Sequence, residues 1–189
     1  MWTRLRYQAD PPPLGELPMA AVLIALFEDD EGEVRVVLTK RPDTMPTHAG
    51  HIAFPGGRSH PEDDGPVSTA LREAEEEVGI PPPSVEILGY LPAMDTVEFR
   101  PMVVPVVGRL PEAPLLMPDP REVAAVYSPR LSDLVMEKAW KEKPYRDFTI
   151  RYYDLDGETL WGATAFMLWQ LLDMATPSGH QRPIPRSLK

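Results

Sequence analysis

The chain contains no cysteine, which excludes a disulfide framework, a thiolate nucleophile and a zinc–thiolate site. It is also short of positive charge. Lys and Arg number 19 against 29 Asp and Glu, for a formal net charge of -10, and that balance argues against the basic surface of a nucleic-acid polymer binder. Long apolar runs are missing too. The longest are too short to span a bilayer, and the region around Arg4 and Arg6 has none suited to a signal peptide. The expectation is a cytoplasmic protein with neither a membrane nor a nucleic-acid polymer as partner. A small polyanionic substrate would need bound cations to supply the missing positive charge.

What is present is an ordinary globular composition, 43% hydrophobic and 25% charged, in 189 residues. That length suits one substantial core and is short for two. Proline is abundant, with 24 residues dividing the chain into short elements. Residues 20–27 and 34–39 are apolar, β-branched runs around the acidic turn Glu28-Asp29-Asp30-Glu31-Gly32-Glu33, which predicts a hairpin. Strands are expected again over 85–91 and 102–107, a helix over 131–140, and a longer amphipathic helix over 161–175 ended by Pro177. No internal repeat appears. Residues 1–18 read as an N-terminal arm, 19–177 as one domain and 178–189 as a C-terminal tail.

The most informative stretch is Leu71-Arg72-Glu73-Ala74-Glu75-Glu76-Glu77-Val78-Gly79. On a helix, Glu73, Glu76 and Glu77 stand at i, i+3 and i+4, so their carboxylates share a face and repel unless a cation lies between them. Leu71, Ala74 and Val78 turn to another side, giving one apolar face and one acidic face. Asp64-Gly65 with Pro66 suit the start of this helix, and Gly79 with Pro81-Pro82-Pro83 its end. A Glu-rich helix can also be a solvated surface element. Arg72 beside the acids and the glycines upstream favour a metal site.

Upstream, Phe54-Pro55-Gly56-Gly57 runs from a strand into a loop that can bring bare backbone close to a ligand. From Gly57 to Ile80 the sequence resembles the Nudix box, the signature of hydrolases acting on nucleoside diphosphates linked to another group. Gly57, Arg72, Glu73, Ala74, Glu76, Glu77, Gly79 and Ile80 fill its pattern. One extra residue separates Gly57 from Arg72, and Asp63 stands where the family has an early Glu. Both departures resemble the branch of the family that cleaves coenzyme A. That branch also has an extended upstream signature, which Val37-Leu38-Thr39-Lys40-Arg41-Pro42 and His48-Ala49-Gly50-His51-Ile52-Ala53-Phe54-Pro55-Gly56-Gly57 largely match. Pro42 replaces a Ser of the branch, His51 a Gln, and His60 a frequent Asp. Sparser similarity continues through Pro120-Arg121-Glu122-Val123 and Trp161-Gly162-Ala163-Thr164-Ala165.

The resemblance implies a Nudix α/β/α sandwich with a central mixed sheet, a small-molecule, coenzyme A-like nucleotide substrate and a homodimer as the family's expectation. It implies Mg2+ or Mn2+ held by Glu73, Glu76 and Glu77 with the Gly57 carbonyl, a donor set suited to a hard cation. Glu76 and Glu77 would be inner ligands, and Glu73 would ligate or act through water. Arg72 would hold a carboxylate in place, the guanidinium fork matching that geometry. A further acid from outside the box is expected, with Glu122 preferred over Glu98 and Asp95; Glu75 is assigned to solvent. Arg41, His48, Gly50, His51 and Gly56 are the candidate substrate contacts. Phe99, Trp140, Trp161 and Trp169 can stack on adenine, although aromatic residues near helices usually fill core.

The implied reaction is hydrolysis of the diphosphate of coenzyme A or its thioesters to 3′,5′-ADP and a 4′-phosphopantetheine product. A pyrophosphatase for ADP-ribose or a dinucleotide would use the same box. A sensor domain that binds nucleotides without turnover would be marked by loss of the box acids, which are intact here.

Overall fold

Two cores meet on one strand, β1 (Met19–Glu28), because its side chains alternate between opposite faces. In the computed structural model, which describes residues 19–95, 102–145 and 148–175, Ala21, Leu23, Ala25 and Phe27 join one apolar cluster and Ile24 and Leu26 the other. The first cluster takes in Ala70, Ala74 and Val78 from α1 (Pro66–Val78). The second takes in Leu131 and Leu134 from α2 (Leu131–Leu134), and Leu168, Leu171 and Leu172 from α3 (Gly162–Ala175). Helices therefore cover both faces of a sheet, as the expected α/β/α sandwich requires.

That sheet is mixed and six-stranded. β1 runs parallel to β8 (Met102–Arg109), with Met19 opposite Met102 and Leu26 opposite Arg109. On its other edge β1 pairs antiparallel with β2 (Val34–Val36) and with β5 (Gly56–Arg58). β6 (Glu86–Tyr90) and β7 (Met94–Asp95) pair antiparallel with β8. The β1–β2 connection is the expected acidic hairpin, its turn held by Asp29, which accepts from the N–H groups of Glu31 and Glu33.

Two expected elements are corrected. The single strand expected over 34–39 divides: Val37 still donates to Ala25 O at 3.0 Å, but β3 (Leu38–Lys40) leaves β1 and enters a second sheet between β4 (Ile52–Ala53) and β9 (Ala125–Tyr127). A continuous β-branched run gives no sign of such a change of partner. The helix expected over 131–140 stops after α2, passes through a 3-10 turn at Glu137–Ala139, and Trp140 opens β10 (Trp140–Tyr145). Trp140 is buried, and its Nε1–H donates to Leu134 O at 2.8 Å. β10 pairs with β11 (Phe148–Leu155), which pairs with β12 (Glu158–Leu160), a meander absent from the sequence reading.

Candidate active site

The acidic helix begins and ends as its sequence suggests. Gly65 caps α1 and Pro66 opens it, where a missing N–H costs nothing. Gly79 closes it in the left-handed conformation at φ 73°, and its N–H and that of Ile80 bond to Glu75 O and Ala74 O. Two further carbonyls of the last turn are satisfied from outside. Met117 N–H donates to Val78 O at 2.9 Å and Asp119 N–H to Glu77 O at 3.0 Å. Asp119 O then accepts from the N–H groups of Glu122 and Val123. This loop, which the sequence reading did not single out before Pro120, ties Glu122 to the end of α1.

Along α1 the three carboxylates separate. Glu77 is buried at 3% exposure, Glu73 is half-buried, and Glu76 is exposed. Glu75 faces solvent, as assigned. Arg72 accounts for much of the division: its Nη1 donates to Glu73 Oε1 and Glu76 Oε2, each at 3.0 Å. Asp63 holds the other side of the guanidinium, accepting from Nε and Nη2 at 3.1 and 3.0 Å. The Asp63 carboxylate also accepts from His60 N–H and the Thr69 hydroxyl, and Arg72 keeps its pKa well below the usual carboxylate range. The residue that departs from the family pattern is therefore the anchor of Arg72.

The two glycines lie against the acids. Gly56 N–H donates to Glu77 Oε2 at 3.3 Å. At Gly57 a Cβ would stand 2.5 Å from the Glu73 carboxyl carbon and both its oxygens, so any side chain there would displace that carboxylate. Burial, followed by the Glu73 charge, pushes the Glu77 carboxyl up to about 8, and Glu122 adds to the repulsion. Burial likewise raises Glu73, against the opposing pull of Arg72. Arg41 is the cation acting favourably on Glu77. Its N–H bonds to His51 O, its carbonyl accepts from Gly50 N–H, and its buried Nε has no partner among the described residues. His48 and His51 lie ring to ring at 5.4 Å, with His48 at a φ of 54°.

Glu73, Gly56, Arg41 and Glu122 thus act on Glu77, while Glu76 turns outward to Arg72. Glu98 and Phe99 lie outside the described residues. An all-oxygen donor set, with a buried acid raised by its acidic neighbours, fits a hard divalent cation. Among the described residues no three acidic or histidine side chains converge on one point. Mg2+ keeps several of its waters and takes one or two carboxylates, so an ion beside Glu77 would not need a closed protein cage.

The profile described as the NUDIX domain matches residues 17–151. The chain belongs to the Nudix family. It is 34% identical over 175 residues to the uncharacterized Nudix hydrolase NudL of Photorhabdus laumondii, covering 89% of this chain and 92% of that protein. It is 36% identical over 177 residues to the chloroplastic Nudix hydrolase 22 of Arabidopsis thaliana, covering 87% of this chain and 56% of that one. The chain thus spans little more than half the length of that plant relative. Among solved structures, a Nudix hydrolase from Alicyclobacillus acidocaldarius superposes with a TM-score of 0.58 at 16% identity, over 89% of this chain and all of that one. The NUDIX domain of Shewanella oneidensis NrtR complexed with ADP ribose gives 0.53 at 20% identity, over 88% and 91%. These likenesses carry the Nudix fold.

Within the Nudix box the helix supplies the acids, the Gly56-Gly57 turn supplies bare backbone, and Arg72 with Asp63 fixes the geometry between them. The arrangement brings the buried Glu77 and the half-buried Glu73 together, with Arg72 bonded to Glu73 and Arg41 acting on Glu77.

Proposed function

We propose that the protein is a divalent-metal-dependent pyrophosphohydrolase that cleaves the diphosphate of coenzyme A or its thioesters to 3′,5′-ADP and a 4′-phosphopantetheine product. The observation that carries this reading is the junction of the two signatures. The segment resembling the coenzyme A branch contributes Arg41 and Gly56, and both act on Glu77 of the box helix. The substrate contacts and the reaction machinery of this reading meet at Glu77.

In this reading Glu73, Glu76 and Glu77 with the Gly57 carbonyl would hold Mg2+ or Mn2+, and the ion would supply charge neutralisation at the diphosphate oxygens and a lowered pKa for water. Glu122 takes a proton from the attacking water, supported by its charge acting on both Glu73 and Glu77. The water oxygen joins one phosphorus, the bridging P–O bond breaks, and the other phosphate leaves with the bridging oxygen. No covalent enzyme intermediate forms. Arg72 orients Glu73, and Arg41 offers its guanidinium to a phosphate oxygen.

The test is direct. Purified protein is incubated with Mg2+ or Mn2+ and equal concentrations of coenzyme A, ADP-ribose and NADH, and products are resolved by liquid chromatography and mass spectrometry. Release of 3′,5′-ADP ahead of the other products is the expected result. Cleavage mainly of ADP-ribose or NADH would overturn the coenzyme A assignment and keep the reaction class, and no turnover of any would count against the reaction itself.

A further inference from the structure

The four aromatic residues that the sequence offered for base stacking divide in the fold. Trp140 is buried at 6% exposure, in ring contact with Tyr153 and Trp169, and Trp169 packs on the same core. Phe99 is outside the described residues. Trp161 is different. It stands between β12 and α3, half-buried, in ring contact with two residues from other segments. His51 meets it at 5.4 Å with the planes 60° apart, and Tyr145, the last residue of β10, meets it at 4.6 Å.

The Trp161–His51 contact is held by backbone on both sides. The Thr164 hydroxyl in the first turn of α3 donates to Ile52 O at 3.0 Å, which pins the helix start to β4. His51 O in turn accepts from Arg41 N–H at 3.0 Å, and the Arg41 side chain acts on Glu77. His51, which meets the Trp161 ring, is thus hydrogen-bonded to the residue whose charge acts on Glu77. Trp140 is buried, and Trp169, although half-buried, packs on the same core. His51, Trp161 and Tyr145 are also half-buried and His48 is exposed, but unlike Trp169 neither Trp161 nor Tyr145 belongs to either core cluster.

We propose that Trp161, braced by His51 and Tyr145, is the surface on which the nucleobase of the substrate stacks. This rests on the reading of the site as a hydrolase of nucleoside-diphosphate compounds and adds the group that would recognise the base end. An indole is a sequence-tolerant π-face for a base, and the neighbouring rings fix its orientation before the ligand arrives.

Calorimetric titration of the full chain with ADP and with inorganic pyrophosphate, Mg2+ present, separates base binding from phosphate binding. Trp161→Leu is expected to weaken ADP about tenfold and leave pyrophosphate unchanged, and Trp161→Phe to recover most of the loss. Equal weakening of both ligands, or no weakening of ADP, overturns the proposal. Should Trp161→Leu fail to fold, Tyr145→Leu carries the same comparison, with a smaller loss of ADP alone expected and an unchanged ADP affinity overturning it. Coenzyme A turnover by the wild type is scored separately. Trp161-dependent ADP binding without coenzyme A cleavage supports the stacking surface and removes the substrate reading, and cleavage with Trp161-independent ADP binding does the reverse.

Discussion

Asp63 grips Arg72 through two guanidinium nitrogens, Nε at 3.1 Å and Nη2 at 3.0 Å, with its own side chain only 6% exposed. The same guanidinium then reaches Glu73 and Glu76 from its remaining nitrogen. Arg72 is thus fixed from the loop side before it touches either acid of the helix.

Asp63→Asn keeps the shape and removes the charge that anchors Arg72. A lost hydrogen bond to a charged group costs about 2 kcal/mol, so the urea midpoint is expected to fall by a corresponding amount. Turnover should drop as well, since Arg72 would no longer hold Glu73 in register. An unchanged rate with lowered stability would limit Asp63 to folding.

Gly57→Ala places a methyl group where the Glu73 carboxylate lies, 2.5 Å from its carbon. The carboxylate must move, and a displacement of that order at a reacting centre costs roughly a hundredfold in rate. Initial-rate kinetics beside a thermal melt check this: the rate should collapse while the melting temperature changes little, because Gly57 in β5, although paired with Ala21, belongs to neither core cluster.

Glu77 sets a pH dependence in the metal-free protein. Its carboxyl is pushed up to about 8 from an ordinary 4.5, by burial first and by Glu73 second. A group whose pKa rises on folding adds stability that is complete below pH 4.5 and is lost as pH climbs through about 8. Asp29, Asp63 and Asp119 are shifted downward and titrate below this window. In EDTA, therefore, the Glu77 contribution lowers the urea midpoint between about pH 5 and about pH 8. Glu77→Gln should flatten that decline and nearly abolish turnover while folding survives.

Metal addition reverses the loss. A cation bound only by the folded state, at a hundredfold excess over its Kd, adds about 2.7 kcal/mol. Mg2+ or Mn2+ should raise the melting temperature more at about pH 8 than at about pH 5, where Glu77 holds its proton. Equal shifts at both values would place the ion away from Glu77.

Thr164→Val removes the bond from the Thr164 hydroxyl to Ile52 O and leaves a buried carbonyl short of a donor, at about 1 kcal/mol. The urea midpoint should fall modestly, and ADP affinity should fall with it if α3 holds Trp161 in place.

The box was legible because its chemistry is local. Glu73, Glu76 and Glu77 on one helix, Gly65 and Gly79 at its ends, and the glycine pair before it follow from spacing alone. The outward turn of Glu76 was not, since it depends on Asp63 drawing Arg72 to the loop side, a contact across nine positions of sequence. The division of residues 34–39 between two sheets and the meander over 140–160 were also hidden. In the first the deciding partner is the distant strand β9 and in the second the neighbouring strand β11, and β-branched or alternating residues accept either fate. Trp140 misled for the same reason: its burial against Leu134 O imitates the last turn of a helix.

The small sheet β4–β3–β9 has a consequence for exchanging parts between relatives. Ala124 N–H bonds to Lys40 O at 2.8 Å, and β9 continues that pairing, Lys40 opposite Ala125 and Leu38 opposite Tyr127. The strand leading into Arg41 and the segment leaving Glu122 are therefore one woven piece, although some eighty positions of sequence lie between them. A chimera that swaps the stretch before the box alone would seat a foreign strand on a native partner. Transplanting both stretches together moves the paired strands as an intact module.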